Sequence, residues 1–361
     1  MRVDYADSLL DRAAMENMAD ARLDEVSELA KEQFERFVRD RWAFIRIVGD
    51  EDPAALEGMD SERLQRYDRS RSLEILPYFR AMFSFSVPWC IAPLPTPAWA
   101  KSVFAASDRP APADPEDALW KELAPILRLD AVDPAARWLA DVAGLEARAQ
   151  ALNARHFDAL RFTGPGTDLH IGLAPASRWA NAYGTTSDGI RFTPNLPSEE
   201  VFSTPDARLT SGTVTLTKPA KILGLVVEGG WLRFERGEVV ESGASRNAEI
   251  LSRYLGIDAG ARRLGEAALV ECDSPVARSG LTFGNALLDE NAACHIALGS
   301  GIEETFEGAP GMDEAARQAA GFNNSIDHVD VMIGSAQVDV DGLDSEGRPA
   351  PVMRGGKFVL G

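Results

Sequence analysis

The sequence predicts an α/β N-terminal domain followed by an α+β, largely antiparallel C-terminal domain that binds metal. Three observations carry that expectation. Charged helical stretches alternate with short apolar runs as far as His156, the pattern of helices layered on a parallel sheet. Beyond His156 short strands separated by Gly-bearing turns dominate, which favours antiparallel hairpins. The chain has 361 residues, enough for two separate cores. The domains are therefore placed at residues 1–160 and 161–361.

In chain order, residues 18–42 form a long charged helix and AFIRIV, residues 43–48, a short buried strand closed by Gly49 and Asp50. A second helix covers residues 61–82. Residues 83–91 return as a strand before the Pro-rich LPTPAWA turns the chain. Helices follow over 115–128 and 133–155. The second half offers strands at 158–163, 168–173, 212–217, 221–227 and 231–237, a helix at 246–255, a strand at 267–270, and a final pair within 329–342. Between them lies residues 281–300, LTFGNALLDENAACHIALGS. Asp289, Glu290 and Asn291 start helices well, and the Ala-rich run after them reads as a helix ending at Gly299 and carrying His295.

Composition limits the function. Apolar residues make up 45% and charged residues 26%, as in ordinary globular proteins. A net charge of −19 with no basic stripe argues against a nucleic-acid partner. The three cysteines lack metal-ligand spacing, and no apolar run approaches the length of a membrane span. The N-terminus has no basic-then-apolar leader, so a cytoplasmic protein without membrane partners is expected.

The four histidines are more informative, because His295 and His328 both lie in acidic company. Residues two apart on a strand share a face, so His328 and Asp330 in SIDHVD can reach one ion. Glu199 and Glu200 stand in a Pro-bounded loop, and Glu266 at the mouth of a strand. Imidazole with carboxylate suits zinc, manganese, cobalt or ferrous iron rather than calcium. Each piece has an ordinary reading too: a packed core histidine, a solvated Glu-Glu loop, a surface ion pair. Together they indicate a metalloenzyme and leave the reaction open.

From residue 167 to 360 the text GTDLHIGL, NLPSEEVFSTPD, LGEAALVE, SPVARSGLTFGNALLDENAACHIALG and NNSIDHVDVMIGSAQVDVDG resembles the M29 family of metallo-aminopeptidases. PWCIAPLPTPAWA extends the likeness more faintly into the first half. The resemblance implies metal ligands Glu200, Glu266, His295, His328 and Asp330, holding two divalent ions (zinc, cobalt or manganese) with Glu266 as the bridge. It implies release of N-terminal residues from short peptides or aminoacyl amides by a metal-activated water, and a homodimer. Glu199 is the candidate for moving protons, with a solvent-facing carboxylate or a supporting role beside Glu200 as the alternative.

Two departures from the family pattern stand out. The chain begins about one βα unit later than the family does, and a trimmed parallel sheet would expose an edge. Where the family carries Tyr in ALGxxY, this chain has Ile302. A related scaffold with other chemistry is the competing expectation. It would be a non-peptide amide hydrolase, or a ring-cleaving dioxygenase using His295, His328 and Asp330 around one ferrous iron. A non-catalytic metal-binding protein is the third.

Overall fold

The computed structural model describes residues 2–5, 7–49 and 58–360. It is a mixed α/β protein with large antiparallel sheets, and packing divides it into two units. The first comprises residues 1–123 and 183–196, the second residues 124–182 and 197–361. This division is drawn elsewhere than the expected boundary near 160. Helix Pro134–Arg155 buries Val142, Leu145, Ala149 and Leu152 and packs on strands Ala180–Asn181 and Glu200–Ser203 of the second unit.

In the first unit, strands Phe44–Val48 and Trp89–Pro93 pair in parallel, with Phe44 opposite Trp89. Parallel strands need a crossover, and helix Ser61–Phe83 lies between them in sequence. Asp60 caps that helix by accepting from the amides of Glu62 and Arg63. The single helix expected over 18–42 is broken. Ser27 caps a new helix, Glu28–Arg39, through the amide of Ala30, after a short helix Asp20–Leu23. The strand expected over 83–91 starts only at Trp89, because Phe85 takes a left-handed turn at φ 49°. Gly49 lies in the described chain, whereas the expected closing residue Asp50 lies outside the described residues.

In the second unit an eight-stranded antiparallel sheet runs, edge to edge, Glu238–Gly243, Trp231–Glu235, Thr210–Thr215, Thr167–Gly172, Ala159–Gly164, Asp339–Leu343, Pro349–Arg354 and Lys357–Phe358. The expected strand 221–227 is instead a hairpin, Ala220–Ile222 with Leu225–Val227, turning at Leu223 and Gly224 with φ 48° and 80°. A five-stranded antiparallel sheet holds His328–Met332, His295–Gly299, Leu264–Val270, Glu200–Ser203 and Ala180–Asn181, in that order.

That second sheet overturns one expectation. Residues 289–299 are not a helix carrying His295. Helix Ala286–Asp289 and a 3-10 turn, Glu290–Ala292, end before His295 opens a strand. All five residues of this strand are buried, since it lies between two partners and is covered on both faces. Such a strand loses the alternation that marks a half-exposed one, and its short Ala-rich run imitates a buried helix. The strand closes at Gly299, whose φ of 107° only glycine adopts easily and where a Cβ would meet the Asp327 carbonyl.

Candidate metal centre

Strand register alone brings the five expected ligands to one face of the five-stranded sheet. Glu266 lies opposite Ala297, and Ala297 opposite Asp330, so these three side chains form a row on one face. His295 is two residues from Ala297, and His328 two from Asp330, which puts both rings on that face. Ala268 sits opposite His295 and Phe202, and Val270 opposite Glu200, so Glu200 joins them. The small side chains of Ala268 and Ala297 stand among the ligands and leave room above the sheet.

The ligand atoms form two groups, each within 4.8 Å: Glu200, Glu266 and His295, and Glu266, His328 and Asp330. Glu266 belongs to both. His295 Nε2 lies 3.2 Å from Glu200 Oε2, and His328 Nε2 lies 3.1 Å from Glu266 Oε2 and 3.4 Å from Asp330 Oδ1. Nδ1 of each ring faces a main-chain carbonyl, Ala293 O at 3.2 Å for His295 and Ser300 O at 2.7 Å for His328. Donating from Nδ1 leaves the Nε2 lone pair aimed into the cluster, the tautomer a metal ligand needs.

A fourth acidic group, Glu290, interacts electrostatically with all of the expected ligands but His328. Its carboxyl is raised well above the usual range, by burial first and then by the charges of Glu200 and Asp330. It belongs to neither close ligand group. The sequence reading used Glu290 only as a helix-starting residue.

The electrostatics call for cations. Burial opposes charge on His295, yet Glu200, Asp330 and Glu266 outweigh it and push the ring up to about 10. His328 is also raised well above its ordinary value despite burial, because Asp330 and Glu266 flank it. Burial raises Glu266, whereas His328 holds Asp330 below the usual range against its burial. With all four carboxylates ionised and both rings neutral, the cluster carries four negative charges. Two divalent ions beside neutral rings would balance it. Glu200 Oε2 and Asp330 Oδ1 are buried, and their close neighbours are the Nε2 atoms of His295 and His328, which lie too poorly aligned to satisfy them. Carboxylate oxygens and imidazole nitrogens crowded together in a mixed N/O donor set fit zinc, cobalt or manganese.

Glu199, the expected proton carrier, is engaged elsewhere. Its carboxylate meets the Arg128 guanidinium at 2.7 Å and 3.1 Å. Burial raises its carboxyl, with Arg128 opposing. Ile302 is half-buried, its amide donating to Thr204 Oγ1 at 2.8 Å, two residues beyond the Ser300 carbonyl that holds His328.

Known proteins resemble this chain over nearly its whole length. A family model described as thermophilic metalloprotease (M29) matches residues 1–358. Aminopeptidase T of Thermus aquaticus is 41% identical over 360 residues, covering 99% of this chain and 86% of that protein. Aminopeptidase PepS of Streptococcus thermophilus is 36% identical over 360 residues, with the same shares of each chain. The solved structure of wild-type AmpT from Thermus thermophilus superposes with a TM-score of 0.89 at 38% identity, covering 99% of this chain and 86% of that one. No helix among the described residues is long and apolar enough to cross a membrane.

Proposed function

This chain belongs to the M29 family of metalloproteases, and from that premise we propose that it is a dinuclear aminopeptidase acting on short peptides or aminoacyl amides. It is a metallo-aminopeptidase by the company of its aminopeptidase relatives, 33% to 41% identical to it. The observation that carries the dinuclear reading is the presence of two ligand groups sharing Glu266. Glu200 and His295 would hold one ion, His328 and Asp330 the other, and Glu266 both. When bound, such a pair supplies Lewis acidity and an acidified water. Zinc, cobalt and manganese all suit the donors. Retention of Glu200 and Glu266 beside the two histidines and Asp330 disfavours a single-iron centre.

The chain's own residues supply the rest. A neutral free α-amino group is a donor that an ion held by these residues could take, which would favour chain ends over internal peptide bonds. Glu290, partly buried and tied to the charges of Glu200 and Asp330, would in its ionised form accept a proton from the attacking water and return it to the leaving amine nitrogen. We give this role to Glu290 rather than Glu199, whose carboxylate is bound to Arg128. A cytoplasmic homodimer is part of the same proposal.

Ile302 sets the expected rate. An aliphatic side chain cannot donate a hydrogen bond to the developing oxyanion, so the wild type should turn over dipeptides slowly. Ile302→Tyr should raise kcat by on the order of 10²-fold with a smaller change in KM, provided the phenol fits. The assay compares free and N-acetylated dipeptides with both variants, loaded with cobalt or zinc. Cleavage of the free peptide alone is expected. Equal cleavage of both forms, or none of either by the fully loaded protein, would overturn the aminopeptidase reading.

A further inference from the structure

Glu199 lies in the loop just before strand Glu200–Ser203, next to the ligand Glu200, and belongs to neither ligand group itself. There it meets Arg128. Both Glu199 oxygens lie on the guanidinium, Oε1 2.7 Å from Nη1 and Oε2 3.1 Å from Nη2. Arg128 Nε donates to Asp141 Oδ2 at 2.8 Å, and Nη1 to the Ile126 carbonyl at 2.7 Å. The guanidinium carbon lies 4.5 Å from the centre of the Trp138 ring. Arg137 holds the other side of Asp141 at 3.0 Å. Arg128 is only 6% exposed, and its backbone is left-handed at φ 59°, a conformation an arginine adopts only where its surroundings enforce it.

The main chain of Glu199 is held as well. Its amide donates to Asn291 Oδ1 at 2.6 Å, while Asn291 Nδ2 donates to the Leu287 and Pro197 carbonyls at 3.0 Å and 3.4 Å. Asn291 is fully buried and directly follows Glu290. Glu199 is thus anchored by side chain and amide, and the next residue is a ligand.

We propose that Arg128 is a positioning residue for the metal centre: by clamping Glu199 against Asp141 and Trp138 it fixes the backbone from which Glu200 reaches its ion. The inference rests on the dinuclear reading. A buried ion pair is a weak device for stability, since its desolvation offsets its attraction. A fork that joins two carboxylates, a carbonyl and an aromatic face instead fixes a position. Because only Glu200 is attached to the clamp, removing Arg128 should weaken one half of the centre and spare the other. An ion pair that only holds the fold would not discriminate between the halves.

The test is cobalt affinity, measured by competition with a chelator in two backgrounds. In Asp330→Ala the better site left is Glu200, Glu266 and His295, and adding Arg128→Met should weaken cobalt binding about 10- to 100-fold, as loss of a group supporting a ligand does. In Glu200→Ala the site left is Glu266, His328 and Asp330, and the same change should alter affinity by no more than roughly twofold. Arg128→Met strands the Glu199 charge, so Arg128→Met/Glu199→Gln is measured beside it. That variant removes the stranded charge with the clamp and should show the same selectivity if the single variant does not fold. Equal weakening in both backgrounds, or none in either, would overturn the role. If the unmutated chain takes up only one cobalt ion, the dinuclear reading fails first, and this inference with it.

Discussion

Glu266→Gln is expected to lose activity by at least about 10³-fold, because one substitution weakens both halves of the centre. Glu266 belongs to both close ligand groups and is 4% exposed. A neutral amide offers one oxygen where a carboxylate offers two, and it carries no charge to balance the ions. The amide keeps the shape, and the Glu266 carboxyl is already raised by its burial, so the metal-free fold should tolerate the change. The measurement is metal content with kcat, and far-ultraviolet circular dichroism to show that the fold is retained. His328→Ala should instead lower affinity for one ion only. Full metal content and full activity in Glu266→Gln would remove the bridge from the account.

Glu290→Gln should lower kcat by about 10²- to 10⁴-fold while leaving both ions bound, the usual range for losing a proton-transfer group. Glu290 lies outside both ligand groups yet is electrostatically tied to Glu200, Asp330, His295 and Glu266. Glutamine keeps the side chain's size and can still accept from Asn291 Nδ2, which lies 3.4 Å from Glu290 Oε1. KM should therefore change little, the mark of a group that acts in the transition state. Loss of one ion in this variant would make Glu290 a ligand, and unchanged kcat would return the proton to another group.

Much of this centre was legible in the residues. HVD on a strand puts two candidate ligands on one face from period alone, and the structure keeps that placement in strand His328–Met332. The mainly antiparallel second half followed from its turns. His295 was found as a candidate ligand although its element was misread. Its buried, Ala-rich strand has neither the alternation of a half-exposed strand nor a helical stripe to exclude a helix. Reading it as a helix also hid Glu290, whose approach to the cluster depends on the 3-10 turn before the strand. Arg128 left no signal at all. It meets Glu199 across 71 residues, from a left-handed position that no local pattern announces. Local periodicity reports which side chains share a face, whereas the groups that steady a ligand from behind are set by packing between distant segments.

Whether Glu266 joins two metal sites is decided by metal stoichiometry. The purified chain is stripped, loaded with zinc or cobalt, freed of excess and analysed for metal per chain, alongside Glu200→Ala and Asp330→Ala. Two equivalents are expected for the unmutated chain and about one for each variant. A single equivalent under every loading condition, above all a tightly held iron unaffected by Glu200→Ala, would contradict a bridging Glu266.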